Sequence, residues 1–168
     1  MKNHLIGMRT FKTALSVWIT LVLFYFMNER TPMIAALAAV VVLKESPKSS
    51  LTSGKHRVMG NFLGALTALM LIVVKQLVQH DVLVELFGAP FAVIFMIVAC
   101  NKLNYKTGTI GGIAAFFMTY FSAPDVQPIL YAANRLIDTL IGSLIAICIN
   151  YLVDKEVMLQ WKNRLLKK

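Results

Sequence analysis

The chain has few charged residues, few cysteines and few histidines. Only 15% of its 168 residues are charged, and it contains two cysteines and three histidines. A small disulfide-stabilised domain needs more cysteines, and His4, His56 and His80 lack the close spacing of a metal site. The glycine-rich stretch at residues 108–112 lacks the Lys-Ser/Thr pair of a nucleotide-binding loop, and no catalytic triad is evident. We therefore expect no enzyme, no metal and no other cofactor.

Apolar residues dominate instead. They make up 58% of the chain, and the mean hydropathy is +0.69. A soluble domain of this size could not bury that much apolar surface. We predict an all-α integral membrane protein with six transmembrane helices, at about residues 12–28, 31–43, 58–74, 82–100, 107–123 and 135–153.

The second of these segments is short. A helix crossing the hydrocarbon core needs about 20 residues, and residues 31–43 offer fewer. We expect the segment to span, with Lys44 extending its side chain to the membrane surface. A re-entrant segment is the alternative.

Basic residues are distributed unevenly around these six spans. Only Arg30, Lys75 and Arg135 fall on one side, and the other fourteen of the 17 fall on the opposite side. Since basic residues collect on the cytoplasmic side, we predict a plasma-membrane protein with both termini in the cytoplasm. The net charge of +9 would then face anionic membrane lipids, and it requires no nucleic-acid partner.

Two parts of the chain resemble each other. RVMGNFLGALTA at residues 57–68 aligns with RLIDTLIGSLIA at 135–146, and TPMIAALAA at 31–39 aligns with TGTIGGIAA at 107–115. Three spans in each copy would invert the second copy in the bilayer, a common transporter plan. We predict two inverted three-helix repeats, about 9–75 and 87–153, within a membrane domain of residues 1–153. A basic amphipathic cytoplasmic tail at 154–168 would follow. Chance similarity between apolar helices is the alternative.

Each copy contains a helical face that begins with an arginine and continues with mostly small residues. The first face is made of Arg57, Gly60, Gly64 and Ala68. The second is made of Arg135, Asp138, Gly142 and Ala146. Small residues let membrane helices approach closely. We therefore predict helix-packing roles for Gly60, Gly64, Gly111, Gly112 and Gly142. Asp138 is either an ion-pair partner of Arg135 or a functional acid, because acidic residues within spans are rare.

Several of these segments resemble the membrane domain of the aromatic acid exporter/fusaric acid resistance family, in its Gram-positive form. They are RTFKTAL at 9–15, LKESP at 43–47, HRVMGNFLGA at 56–65 and NRLIDTLIG at 134–142, followed by Asn150. The resemblance implies export of small aromatic carboxylates, with proton coupling. Family members often carry a cytoplasmic helical domain after the membrane unit. Since only residues 154–168 follow the last span, we expect that domain to be absent.

The resemblance and the polar residues together suggest a substrate site. We predict that Arg57, Arg135, Asn61 and Asn150 bind a small organic anion and that Asp138 carries the coupling proton. The expected partners are membrane lipids and a second copy of the chain in a homodimer. The main alternative is a non-transporting scaffold or accessory subunit that binds a protein partner or lipid, and a channel or a membrane enzyme comes after it.

The predicted topology can be tested by cysteine accessibility. An impermeant thiol reagent added outside the cell should label a cysteine placed near Gln79 or Gln127. It should not label one placed near Ser50 or Lys106. Labelling at Ser50 from outside would contradict the six-span arrangement with cytoplasmic termini.

Overall fold

The computed structural model describes residues 8–27, 32–78, 80–123 and 127–153, and within these ranges the protein is helical without strands. The six main helices are α1 (Met8–Phe26), α2 (Met33–Val42), α3 (Pro47–Val78), α4 (Asp81–Lys102), α5 (Thr109–Ser122) and α6 (Pro128–Leu152). Helix α4 contains a π-helical turn at Val84–Gly88, and a 3-10 turn at Lys106–Gly108 precedes α5. The helical class is confirmed, and the predicted tail lies outside the described residues.

Two helices begin earlier than the hydropathy of the sequence predicts. Helix α3 starts at Pro47, although hydropathy places the start of the span at about residue 58. The Ser46 hydroxyl oxygen accepts a hydrogen bond from the Ser49 backbone N–H at 3.2 Å, and proline suits the first helical position. Helix α6 likewise starts at Pro128, before the predicted residue 135. Hydropathy misses the first turns of α3 because a helix capped by Ser46 can continue through polar residues.

The helices differ in their capacity to cross a membrane. Among the described residues, α3, α4 and α6 are long and apolar enough to do so. Helix α2 has 10 residues, which gives a length of about 15 Å against a hydrocarbon core of about 30 Å. Its spanning role therefore stays a prediction. Large apolar side chains such as Phe26, Phe91 and Ile110 are exposed, as expected for a surface that faces lipid.

The chain forms two compact units. The first combines residues 1–54 with residues 138–168, and the second contains residues 55–137. Each unit therefore takes helices from both predicted repeats. The core of the first unit consists of Ala39, Val42, Leu43 and Ala146. The core of the second is built around Ala68, Leu71, Met96, Phe116 and Tyr120.

Glycines bring helix backbones into direct contact in both units. In the second unit, a Cβ added to Gly64 would overlap the carbonyl oxygen of Gly112, and one added to Gly60 would overlap that of Gly108. In the first unit, a Cβ on Gly142 would overlap the carbonyl oxygen of Ala35. We call these the glycine contacts. They set the spacing of α3 against α5 and of α6 against α2, because a helical carbonyl cannot turn away as a side chain can.

Alanine substitution tests the glycine contacts. Gly64→Ala should lower the free energy of unfolding by about 1–3 kcal/mol, because overpacking forces the two backbones apart. Gly54→Ala is the matched control on the same helix, since its new Cβ would meet side-chain atoms and no backbone, the nearest being the end of the Ile147 side chain at 3.0 Å. Thermal unfolding of both purified variants in one detergent measures the difference. Equal melting temperatures would show that the Gly64 contact does not limit packing.

Candidate functional site

Arg57 lies half-buried on α3, with its side chain against α5. Its Nη1 atom is 2.9 Å from the position that a Cβ on Gly111 would occupy, and its Cζ is 3.3 Å from that position. A side chain at residue 111 would therefore press on the guanidinium. Among the described residues, the buried Nε of Arg57 has no hydrogen-bond partner. The arginine thus has one N–H donor that the described part of the protein does not use.

The residue before Arg57 fixes this part of α3. A short hydrogen bond joins the Nδ1 atom of His56 and the Thr107 hydroxyl, and the His56 ring stands edge-on to Tyr105 with centroids 5.2 Å apart. A Cβ on Gly108 would overlap the His56 carbonyl oxygen. The turn before α5 therefore holds α3 directly beside Arg57. Sequence reasoning considered His56 only as a metal ligand, and it missed this positioning role.

Arg135 lies on α6 and contacts the other part of α5. It is 8% exposed, and it donates from Nη1 to the Tyr131 hydroxyl at 3.2 Å and from Nη2 to the Met118 sulfur at 2.8 Å. Gly111 and Met118 are seven residues apart on α5, which corresponds to about 10 Å along the helix axis. The two predicted arginines therefore contact the same helix at different levels and do not form one compact site.

The other predicted site residues are all buried. Asn61 and Asp138 are each 6% exposed, and neighbouring groups already engage both. Asn150 is fully buried and lies in the first unit, whereas Arg57, Asn61 and Arg135 lie in the second. The predicted substrate set is thus divided between the two units.

A buried polar network surrounds Asn150. Its amide nitrogen donates to the Lys44 carbonyl oxygen at 2.9 Å and to the Ser50 hydroxyl at 2.8 Å. Its amide oxygen accepts from the Lys12 ammonium at 2.9 Å. The Lys44 backbone N–H also donates to the Ser50 hydroxyl, at 2.7 Å. Asn150 therefore joins the first turns of α1 and α3 to the ends of α2 and α6.

Lys12 is the member of this network that sequence reasoning missed. Its position at the start of the first predicted span predicts a cytoplasmic charge in solvent, but it is only 5% exposed. The sequence did contain a sign of this burial. Lys12, Ser16 and Thr20 are spaced four residues apart, which places the three polar residues on one helical face. Ser16 and Thr20 are fully buried as well.

A second charged group lies at the end of α3. The Lys75 ammonium is 3.2 Å from a Glu85 oxygen and 3.5 Å from an Asp81 oxygen, and it lies 5.9 Å from the centre of the Tyr120 ring. These side chains are partly exposed, so the pairs add little stability. Within the described ranges, no group of His, Cys, Asp and Glu side chains is arranged to hold a metal ion.

Comparison with known proteins identifies the family. Residues 4–153 match the family model described as aromatic acid exporter family member 1. Similar curated proteins include UPF0421 proteins of Staphylococcus haemolyticus (31% identical over 160 residues), Staphylococcus epidermidis (30% over 154) and Staphylococcus aureus (30% over 157). Each alignment covers 90% of this chain but 44% of the relative. The resemblance found in the sequence is confirmed, and the chain belongs to the aromatic acid exporter family, a family of transporters rather than enzymes.

Proposed function

We propose that the protein exports small aromatic carboxylate anions across the plasma membrane. Membership of the aromatic acid exporter family supports a transporter. The observation that supports the substrate class is the half-buried guanidinium of Arg57, which lies against a glycine and has an N–H donor unused by the described residues. A planar guanidinium can bind a carboxylate through two parallel hydrogen bonds. An arginine in this setting is suited to binding an anion reversibly.

The proposed path passes both arginines. Asn61 is four residues after Arg57 and therefore shares its helical face, where its amide would add a hydrogen bond to the substrate. Arg135 contacts α5 about 10 Å from the level of Arg57. In this proposal, Arg57 attracts the anion at one end of the path, Arg135 attracts it at the other, and Asp138 carries the coupling proton.

The glycine contacts support the inverted repeat. In the second unit, α3 packs on α5 through Gly64 and Gly112. Helix α3 is the third helix of the first repeat, and α5 is the second helix of the second repeat. In the first unit, α6 packs on α2 through Gly142 and Ala35. Helix α6 is the third helix of the second repeat, and α2 is the second helix of the first repeat. Gly64 aligns with Gly142, and Gly112 aligns within one residue of Ala35. We propose that two inverted copies exchange their second helices in this way, with both termini cytoplasmic.

The assembly belongs to the same proposal. A homodimer surrounded by lipid would enclose the path between more helices than one copy supplies. The chain spans less than half the length of the curated relatives it matches, so the activity of the whole protein is proposed from its membrane part. A non-transporting scaffold is the competing function, and the two experiments below separate it from transport.

Substitution of Arg57 tests the substrate site. In proteoliposomes loaded with benzoate, Arg57→Ala should slow efflux about ten- to hundredfold, since a hydrogen bond to a charged group contributes about 1.5–3 kcal/mol. Arg57→Lys keeps the charge without the planar fork, and it should be intermediate. The exposed Arg9 provides the control Arg9→Ala. Normal efflux by folded Arg57→Ala, or no benzoate flux through the unaltered protein, would favour packing and a scaffold.

Substitution of Asp138 tests proton coupling. Asp138→Asn should remove the acceleration of benzoate efflux by a proton gradient, because an amide cannot carry the proton. Efflux down a benzoate gradient alone should remain. Glu85→Gln is the control, because that acid is already paired with Lys75. If Asp138→Asn responds to the gradient as the unaltered protein does, Asp138 is a structural acid.

A further inference from the structure

An apolar groove lies between the start of α3 and the end of α6, within the first unit. Its volume is about 600 Å³, and its walls are almost entirely apolar. The residues that line it include Lys48 and Leu51 of α3 and Ile147, Cys148 and Tyr151 of α6. Four of these five side chains are exposed and Ile147 is half-buried, so the groove opens on the surface of this unit.

The packing beneath the groove fixes its shape. The Asn150 amide nitrogen donates to the Ser50 hydroxyl at 2.8 Å, and both residues are fully buried. Further along α3, a Cβ added to Gly54 would lie 3.0 Å from the end of the Ile147 side chain. A hydrogen bond and a close helix contact therefore hold the two walls together, and the groove is a fixed feature of the fold.

The two ends of the groove differ in chemistry. Lys48 lies in the first turn of α3 and carries a positive charge. Gly54, which meets Ile147, is six residues further along α3, which corresponds to about 9 Å along the helix axis. Residues 147–152 belong to the sixth predicted span, whereas Lys48 precedes the third predicted span. The groove thus runs from a cation outside the predicted spans to apolar side chains within one.

This arrangement suits an amphiphile with a negative head group. The apolar walls can cover part of an acyl chain, and the Lys48 ammonium can donate to a phosphate oxygen. Lys55 is seven residues after Lys48, on the same helical face, and it is also exposed. Lysines beside a membrane helix attract anionic lipids, and tyrosine is enriched at the level of the lipid head groups, as Tyr151 would be here.

We propose that this groove is a binding site for an anionic phospholipid. One acyl chain lies along Leu51, Ile147 and Cys148, and the phosphate accepts a hydrogen bond from Lys48. The bound lipid contacts both α3 and α6 and so stabilises their packing at this end of the unit. Under the predicted topology the lipid belongs to the cytoplasmic leaflet. The site shares no residue with the Arg57 site and does not depend on the export function.

Cys148 provides the measurement. It is exposed and lines the groove, whereas Cys100, the other cysteine of the chain, is fully buried. The rate at which N-ethylmaleimide alkylates Cys148 in the purified full chain, read by peptide mass spectrometry, should fall when phosphatidylglycerol is added to the detergent. Phosphatidylcholine with the same acyl chains should require about a three- to tenfold higher concentration for equal protection, because it lacks the net charge that Lys48 attracts.

Substitutions separate the contributions of charge and chain. Lys48→Gln should remove the difference between the two lipids, and Lys48→Arg should keep it. Lys102→Gln is the matched control, since Lys102 is an exposed cation at the end of α4, in the second unit, and it should also keep the difference. Leu51→Asn should weaken protection by both lipids, because it places a polar group on the wall that contacts the acyl chain.

Three results would overturn the proposal. Equal protection by the two lipids in the unaltered protein, or an unchanged preference in Lys48→Gln, would show that the groove does not recognise the phosphate. No protection by either lipid would show that another part of the chain or a second copy covers the groove. Protection by benzoate and not by phospholipid would assign the groove to an aromatic acid instead. Each result is read without a transport assay, so the export function is judged separately.

Discussion

Contact between helix backbones is the constraint on which the rest of this structure depends. Lipid tails are as apolar as leucine, so membrane helices gain little from hiding apolar side chains against each other. Close packing must supply the stability instead, and the glycine contacts allow it in both units. The close approach of α3 and α5 also positions Arg57. Gly111 lies beside Gly112 on α5, and its missing side chain is what lets the Arg57 guanidinium lie against that helix.

Buried charge sets a second requirement, which each unit meets differently. In the second unit, Arg135 is engaged by Tyr131 and Met118, whereas the Nε of Arg57 is unused in the described part of the protein. In the first unit, Lys12 is held by the amide and backbone of Asn150 at a helix end. Arginine offers a planar fork and lysine a compact point charge. Neither is a low-cost way to fill an apolar core, so each needs polar partners within its unit.

The parts that could be predicted from the sequence are those encoded by local periodicity. The predicted span at 82–100 lies within α4, and the face of Arg135, Asp138, Gly142 and Ala146 is buried as a group. The start of α3 was missed because the Ser46 cap outweighs the polar composition that follows it. The burial of Lys12 was missed because its partner, Asn150, is 138 residues away. A count of loop charges assumes that a lysine near the start of a helix is solvated. The tertiary contact with Asn150 shows that Lys12 is buried instead.

The central claim is that the half-buried Arg57 guanidinium binds the carboxylate of an aromatic acid. An experimental structure with 4-iodobenzoate tests it most directly, because the heavy iodine locates the ring and its geometry fixes the carboxylate. The account predicts a carboxylate at a hydrogen-bonding distance of about 3 Å from the Arg57 guanidinium. Iodobenzoate bound at saturating concentration with its carboxylate away from Arg57 would contradict the account.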